Sequence, residues 1–243
     1  MEPRFLLNGD SAVSVEIGKE ISIETSKKVR SLMEELESRK TDGIVEMVPA
    51  YASLMIHYRP ELLNFRQIKE LVCQCFGSGE IKEPKISMIT EIPVYYGGET
   101  GMDLEECARA EGISPQELIS IHSGYDYYVY MLGFAPGHPY CARMEHPFSF
   151  KRREKPRIKA AAGSVVASAE LSNILPFDQP CGWNVIGITP VRLCDYSKPN
   201  PFLLEAGQWI RFIPVTETEY KDIRKKAESG NYKCRVVKRA VEN

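Results

Sequence analysis

Between residues 125 and 212 the chain loses every trace of helical period. Short apolar runs at 127–132, 164–167, 184–188 and 209–213 are parted by Gly and Pro, which is the spacing of a β-barrel or sandwich and not of a helical bundle. Whatever precedes this stretch has to be a separate, differently patterned unit. The first 96 residues fit that description. Val13, Val15 and Ile17 alternate with polar or small residues, as a half-buried strand requires. Val29, Leu32, Met33 and Leu36 fall at i, i+3, i+4 and i+7, one face of a helix over 25–39. Strands are expected at 44–48 and 54–58, with Pro49 tolerated at a strand end because it cannot donate to a ladder. A second helix follows with Ile68, Leu71, Val72 and Cys75 on one face, stopping near Gly77-Ser78-Gly79, and the run 86–96 closes the unit as a strand. The resulting order, β-α-β-β-α-β, is ferredoxin-like.

A hinge is expected at 80–85 or at Gly97-Gly98. Beyond it, Asp103 to Glu106 and Ser114 to Glu117 each match a capping box, the second with Pro115 at its first helical position, and Gly112 and Gly124 are the matching stops. The domain reading is 1–90 for the α/β unit, 91–216 for the barrel and 217–243 for a basic tail, expected as an exposed helix or ragged end. The fold class is therefore α+β.

Composition narrows the function classes. With 43% hydrophobic residues in 243, a normal core can be buried. A net charge of -2 argues against a dedicated nucleic-acid binder. No run approaches the roughly 18 to 20 apolar residues of a membrane span, and Met1-Glu2-Pro3-Arg4 lacks a signal region, so a cytoplasmic protein that engages no membrane is expected. Seven scattered cysteines are expected to be free thiols. The metal-like spacing His138-x-x-Cys141 with His146 lacks a fourth ligand, so no metal is expected.

Charge, by contrast, is concentrated. Lys151, Arg152, Arg153, Lys155, Arg157 and Lys159 face only Glu154, and 220–240 carries eight basic residues against two acids. Such patches attract phosphate, carboxylate or an acidic partner. The familiar phosphate-loop, dinucleotide, serine-elbow and zinc-protease motifs are absent. Ser164 follows Gly163 without the elbow pattern and reads first as a turn or strand-start residue. Among the histidines His122 is the better candidate, because it ends a capped helix. Two segments have turn chemistry too specific for ordinary connections. In Gly133-Phe134-Ala135-Pro136-Gly137-His138-Pro139-Tyr140 the glycines and prolines make a rigid loop that carries Phe134 and Tyr140. In the second, Gly163, Gly182 and Gly187 allow close backbone approach, with Arg157 and Trp183 near in sequence, which suits a concave site for an anion and a small flat group. Arg157 is expected to hold the anion, its truncation leaving the fold intact.

At these residues the chain resembles a family. Gly133-Phe134-Ala135-Pro136-Gly137 with Tyr140, Pro156-Arg157, Ala162-Gly163-Ser164-Val165, Gly182-Trp183 after Pro180, Ile186-Gly187-x-Thr189-Pro190 and Arg211-Phe212-x-Pro214 look like the bacterial family of 5-oxoprolinase B subunits. That family includes the Kip inhibitor of a sporulation histidine kinase, and is similar to part of the carboxyltransferase-type domain of urea carboxylase, long labelled allophanate hydrolase subunit 1. Gly9-Asp10-Ser11-Ala12, Val48-Pro49-Ala50-Tyr51, Ile92-Pro93-Val94 and Tyr96-Gly97-Gly98-Glu99 agree as well, so the resemblance covers about residues 5–216.

The resemblance implies a small α/β domain followed by a cyclophilin-like β-barrel. It implies a B-type component that acts with C-like and A-like subunits to open 5-oxoproline to glutamate, with ATP used through the assembled complex. From the residues and the resemblance together, the candidate substrate- or anion-binding positions are His122, Phe134, Pro136, Gly137, His138, Tyr140, Arg157, Gly163, Ser164, Gly182, Trp183 and Thr189, with the catalytic group unassigned. The chain departs from the family pattern at His138 (usually Phe), Ala160-Ala161 (Val-Pro), Glu170-Leu171 (Gly-Gln), Cys181 (Gly) and Ile188 (Arg). The Leu and Ile remove an amide and a guanidinium. The alternatives are therefore a non-catalytic inhibitor of a sensor histidine kinase, or related carboxyltransferase or amide-hydrolysing chemistry. Prolyl isomerase activity is not expected, since a fold alone does not carry function.

Overall fold

The opening residues form a hairpin in which β1 (Arg4–Leu7) pairs antiparallel with β2 (Ala12–Glu16). The structure is a computed structural model that describes residues 2–76, 87–142 and 147–239. The chain divides into two compact units, Met1–Lys85 and Ile86–Asn243.

In the first unit, α1 (Ile23–Ser38) starts where the Ser22 hydroxyl accepts from the Thr25 N–H, and buries Val29, Leu32 and Leu36 along one face. Next come β3 (Ile44–Pro49) and β4 (Ser53–Tyr58), then α2 (Phe65–Cys75), which begins with a reciprocal Asn64–Gln67 capping box and buries Ile68, Val72 and Cys75. The sheet order is β1-β2-β4-β3, and all its pairings are antiparallel. Alternation puts Val13, Val15, Leu54 and Ile56 on the face that packs against the two helices. The hinge expected at 80–85 and the Gly77-Ser78-Gly79 stop lie outside the described residues.

One expectation is overturned here. The strand read over 86–96 does not close the first unit. It is β5 (Met88–Tyr96) of the second, pairing in parallel with the strand over residues 209–214 and burying Ile89, Ile92 and Val94. The division therefore falls between residues 85 and 86, not after 90, and the first unit's fourth strand is supplied by β1. A strand that is apolar on both faces carries no local mark of which sheet it joins.

After β5, α3 (Leu104–Glu111) and α4 (Pro115–Ser123) pack their buried faces into the second unit's core. The Ser114–Glu117 capping box forms as expected, whereas Asp103 makes no capping bond. Then follow β6 (Asp126–Leu132), β7 (Pro139–Ala142), β8 (Arg157–Ala160), β9 (Ser164–Ser168), β10 (Leu171–Ile174), β11 (Gln179–Cys181), β12 (Asn184–Ile188) and β13 (Trp209–Pro214). The order β12-β9-β10-β7-β6-β13-β5 returns to β12 through Tyr95–Ile188 and Tyr96–Gly187, giving a closed seven-stranded barrel, in keeping with the cyclophilin-like barrel expected. Its interior holds Val129, Val165, Ala167, Ile186, Ile210 and Phe212.

The tail expected over 217–243 contains α5 (Glu217–Glu228), buried at Tyr220 and half-buried at Ile223 and Ala227, and a short strand β14 (Val236–Lys238). β14 pairs with Met88–Thr90, the half of β5 that β12 leaves open, and Arg239 lies over the Trp209 ring at 3.7 Å. Among the described residues no helix is long and apolar enough to cross a membrane.

Candidate functional site

The loop from β6 to β7 is held by two backbone bonds, Gly133 N–H to the His138 carbonyl at 3.1 Å and His138 N–H to the Ala135 carbonyl at 3.0 Å. Gly137 takes φ 74°, and a Cβ there would come within 3.2 Å of Cys194, Leu193 and Phe202. Phe134 takes φ 67° although it is not glycine, and its ring is 75% exposed. A bulky residue held in that region costs of order 1–3 kcal/mol, and such strain concentrates at functional sites.

This loop buries His138 to 5% exposure. The ring stacks on Tyr140 at 5.0 Å and 15°, and Phe134 meets it edge-on at 5.9 Å. The Gln179 amide nitrogen lies 3.1 Å from His138 Nδ1. An amide nitrogen only donates, so Nδ1 accepts and the ring proton sits on Nε2. That N–H is buried and has no acceptor among the described residues. Burial pushes the imidazole down to about 4, so at neutral pH the ring is an uncharged donor.

Gln179 reaches His138 because β8 and β11 form a two-stranded layer. Ala160, Leu175 and Cys181 pack with Val166 and Val185, with Trp183 half-buried against them. Val166 and Val185 alternate with the inward Val165, Ala167 and Ile186, so this layer lies on the barrel's outer face. Arg152 extends along the same flank: a Cβ on Gly182 would sit 2.9 Å from its Nη2, so the guanidinium lies close over this turn. Burial raises the Tyr140 phenol above its ordinary value, and the Arg152 charge works against that rise. Phe134, Gly137, His138, Tyr140, Gln179, Arg152 and Gly182 thus share one flank of the barrel, with Pro136 exposed on the loop.

Arg157 has a different part from the one expected. Its Nη2 donates to Asp103 Oδ1 at 2.5 Å, and Arg153 Nη1 donates to the same oxygen at 2.9 Å. Asp103 Oδ2 accepts from the Val185 N–H at 2.7 Å, while the Asp103 N–H donates to the Val185 carbonyl at 2.9 Å. The Asp103 side chain is 3% exposed. Arg157 is therefore half of a buried ion-pair cluster joining the start of α3 to β12, and its truncation would not leave the fold untouched.

The remaining expected positions fall elsewhere. His122 is fully buried in the barrel core. Its Nδ1 lies 2.8 Å from the Tyr96 hydroxyl, its Nε2 2.8 Å from the Ser172 hydroxyl, and its ring stacks on Phe212 at 4.6 Å. With both nitrogens engaged it organises the core and meets no open site. Ser164 and Thr189 are buried. At Gly163, φ is 83° and a Cβ would lie 2.5 Å from the Thr189 carbonyl, so the two turns touch backbone to backbone. Gly163 and Thr189, with Ile188, Arg192 and Arg224, line a cavity of about 310 Å³ beside α5. Among the described residues no His, Cys, Asp or Glu cluster could hold a metal, and His146 lies outside them. Sequence reading missed Asp103, Arg152 and Gln179. Asp103 was hidden by its capping-box spacing, and Gln179 and Arg152 had no local signal beyond the charge run.

A family model described as "Carboxyltransferase domain, subdomain C and D" matches residues 3–204. The chain is 34% identical over 226 residues to a Bacillus subtilis protein named as the B subunit of 5-oxoprolinase, covering 87% of this chain and 92% of the relative. It is 33% identical over 215 residues to the protein of that name from Escherichia coli O157:H7, covering 88% and 97%. Among solved structures, TTHA0988 matches with TM-score 0.74 and 30% identity over 84% of this chain and 40% of that one. Kluyveromyces lactis urea carboxylase matches in fold, with TM-score 0.82 and 20% identity over 98% of this chain and 24% of that one. The chain thus spans less than half of either structure's chain.

Proposed function

Because the chain belongs to the carboxyltransferase-domain family of subdomains C and D, and matches the 5-oxoprolinase B subunits over most of their length, we propose that it is the B subunit of a 5-oxoprolinase. In this reading it acts with A-like and C-like subunits to open 5-oxoproline to glutamate at the expense of ATP, which is used by the assembled complex.

The observation that carries the reading is the 34% and 33% identity to proteins named as 5-oxoprolinase B subunits over 92% and 97% of their length. The flank of Tyr140 and Arg152, with a buried His138 Nε2–H where the family usually has Phe, is this chain's own form of the site. A lactam is unreactive until its oxygen is activated. Transfer of the terminal phosphoryl group of ATP to that oxygen gives ADP and an imidate phosphate; water adds at the ring carbon, the C–N bond opens to the amine and leaves an acyl phosphate, and a second water cleaves that to the carboxylate and inorganic phosphate. This sequence needs neutral donors at the oxygen and a cation at the substrate carboxylate. His138, uncharged at neutral pH, suits the oxygen, and Arg152 suits the carboxylate. Tyr140 stacks on His138 and fixes its plane.

The test is conversion of 5-oxoproline to glutamate by A-like and C-like subunits with ATP, with and without this chain. Activity that requires the chain, and falls in Arg152→Gln, supports the reading. No activity, in a mixture that the Bacillus subtilis relative restores, refutes it. The second reading, inhibition of a sensor histidine kinase, would then lead. It is favoured by the exposed, strained Phe134 ring, a shape suited to docking on another protein.

A further inference from the structure

We propose that the cavity of about 400 Å³ between α3 and residues 150–155 binds a small phosphate-bearing molecule. It lies beside the flank described above, shares Arg152 with it, and does not depend on the reaction proposed there. The volume falls in the range of small-molecule sites. Phe150 supplies an apolar wall, and Lys151, Arg152, Arg153 and Lys155 supply four cations against Glu106 and Glu154.

What separates this from a solvated basic loop is how firmly its backbone is fixed. The Asn184 amide donates to the Lys151 carbonyl at 2.9 Å, and the Arg153 N–H donates to the Gly182 carbonyl at 2.8 Å. Glu111 accepts from the Phe150 N–H at 3.2 Å, and Arg153 Nη1 is anchored on buried Asp103 at 2.9 Å. Like charges close in sequence repel, and a free loop would spread them apart. Here the chain is held while Lys151, Arg152 and Lys155 have no ion pair among the described residues. Glu106 is already engaged with Arg153 at 3.5 Å. Positive potential is thus concentrated over a concave surface before any ligand arrives, which is the preorganisation that phosphate recognition requires.

The test is calorimetric titration of the full chain with inorganic pyrophosphate, comparing the double variant Lys151→Gln/Lys155→Gln with the control Lys225→Gln/Lys226→Gln on α5. Both variants remove the same charge from exposed side chains. The cavity variant is expected to bind at least about tenfold more weakly than wild type, and the control within about twofold of it. Absence of saturable binding by wild type, or equal losses in the two variants, would overturn the proposal. Because no turnover is measured, its failure is distinct from a failure to support oxoproline hydrolysis.

Discussion

Replacing His138 by Phe separates the burial of this ring from its titration. Phenylalanine keeps the stack on Tyr140 and the contact with Phe134, while nothing at the position can take up a proton. In the folded chain, burial pushes His138 down to about 4, against an ordinary value of 6.5. The unfolded chain therefore binds the additional proton as pH falls, and stability drains away from about 6.5 down to about 4. Between about pH 7 and about pH 4.5 wild type should lose about 2.4 kcal/mol through this group alone. The variant's lost bond to Gln179 is a fixed cost that pH does not alter, and the carboxylates that titrate in the same window are common to both proteins. The quantity to read is thus the change in the stability difference between the two, from urea unfolding at each pH. Both tryptophans, Trp183 and Trp209, lie in the second unit, so their fluorescence follows that unit. A difference shifting by about 2 kcal/mol in favour of the variant at low pH is expected. Parallel behaviour at the two pH values would refute the argument, because it would mean that His138 is protonated in the folded state without penalty.

Asp103→Asn keeps the shape and removes the charge that holds Arg153 and Arg157, so a loss of about 3 kcal/mol is expected by the same fluorescence. A loss below about 1 kcal/mol would show that both arginines are satisfied by solvent. Phe134→Gly should leave the melting temperature unchanged or raise it, since φ 67° suits glycine and a ring 75% exposed contributes little burial. The same variant should weaken assembly with the A-like and C-like subunits in size-exclusion chromatography, and unaltered assembly would remove the loop from docking.

Much of the scaffold follows from local pattern. The i, i+3, i+7 spacing of Val29, Leu32 and Leu36, the Ser114–Glu117 box and the apolar runs of β9, β12 and β13 each give a local signal within a few residues, and each forms where that signal lies. Gly137 and Gly163 also mark positions of positive φ, and at Gly163 the Thr189 backbone comes too close for a Cβ. Tertiary structure decided the allegiance of β5, whose residues are apolar enough for either sheet and whose partner β13 arrives more than a hundred residues later. It also decided what the polar side chains do. Asp103 and Arg157 are 54 residues apart and His138 and Gln179 are 41 apart. A carboxylate three residues before a glutamate looks the same in sequence whether it caps a helix or anchors two arginines. Periodicity and turn chemistry are properties of neighbours along the chain, so the sequence alone determines the elements. Burial and ion pairing are properties of neighbours in space, so only the closed barrel could turn His138 into a neutral donor and Arg157 into part of the frame.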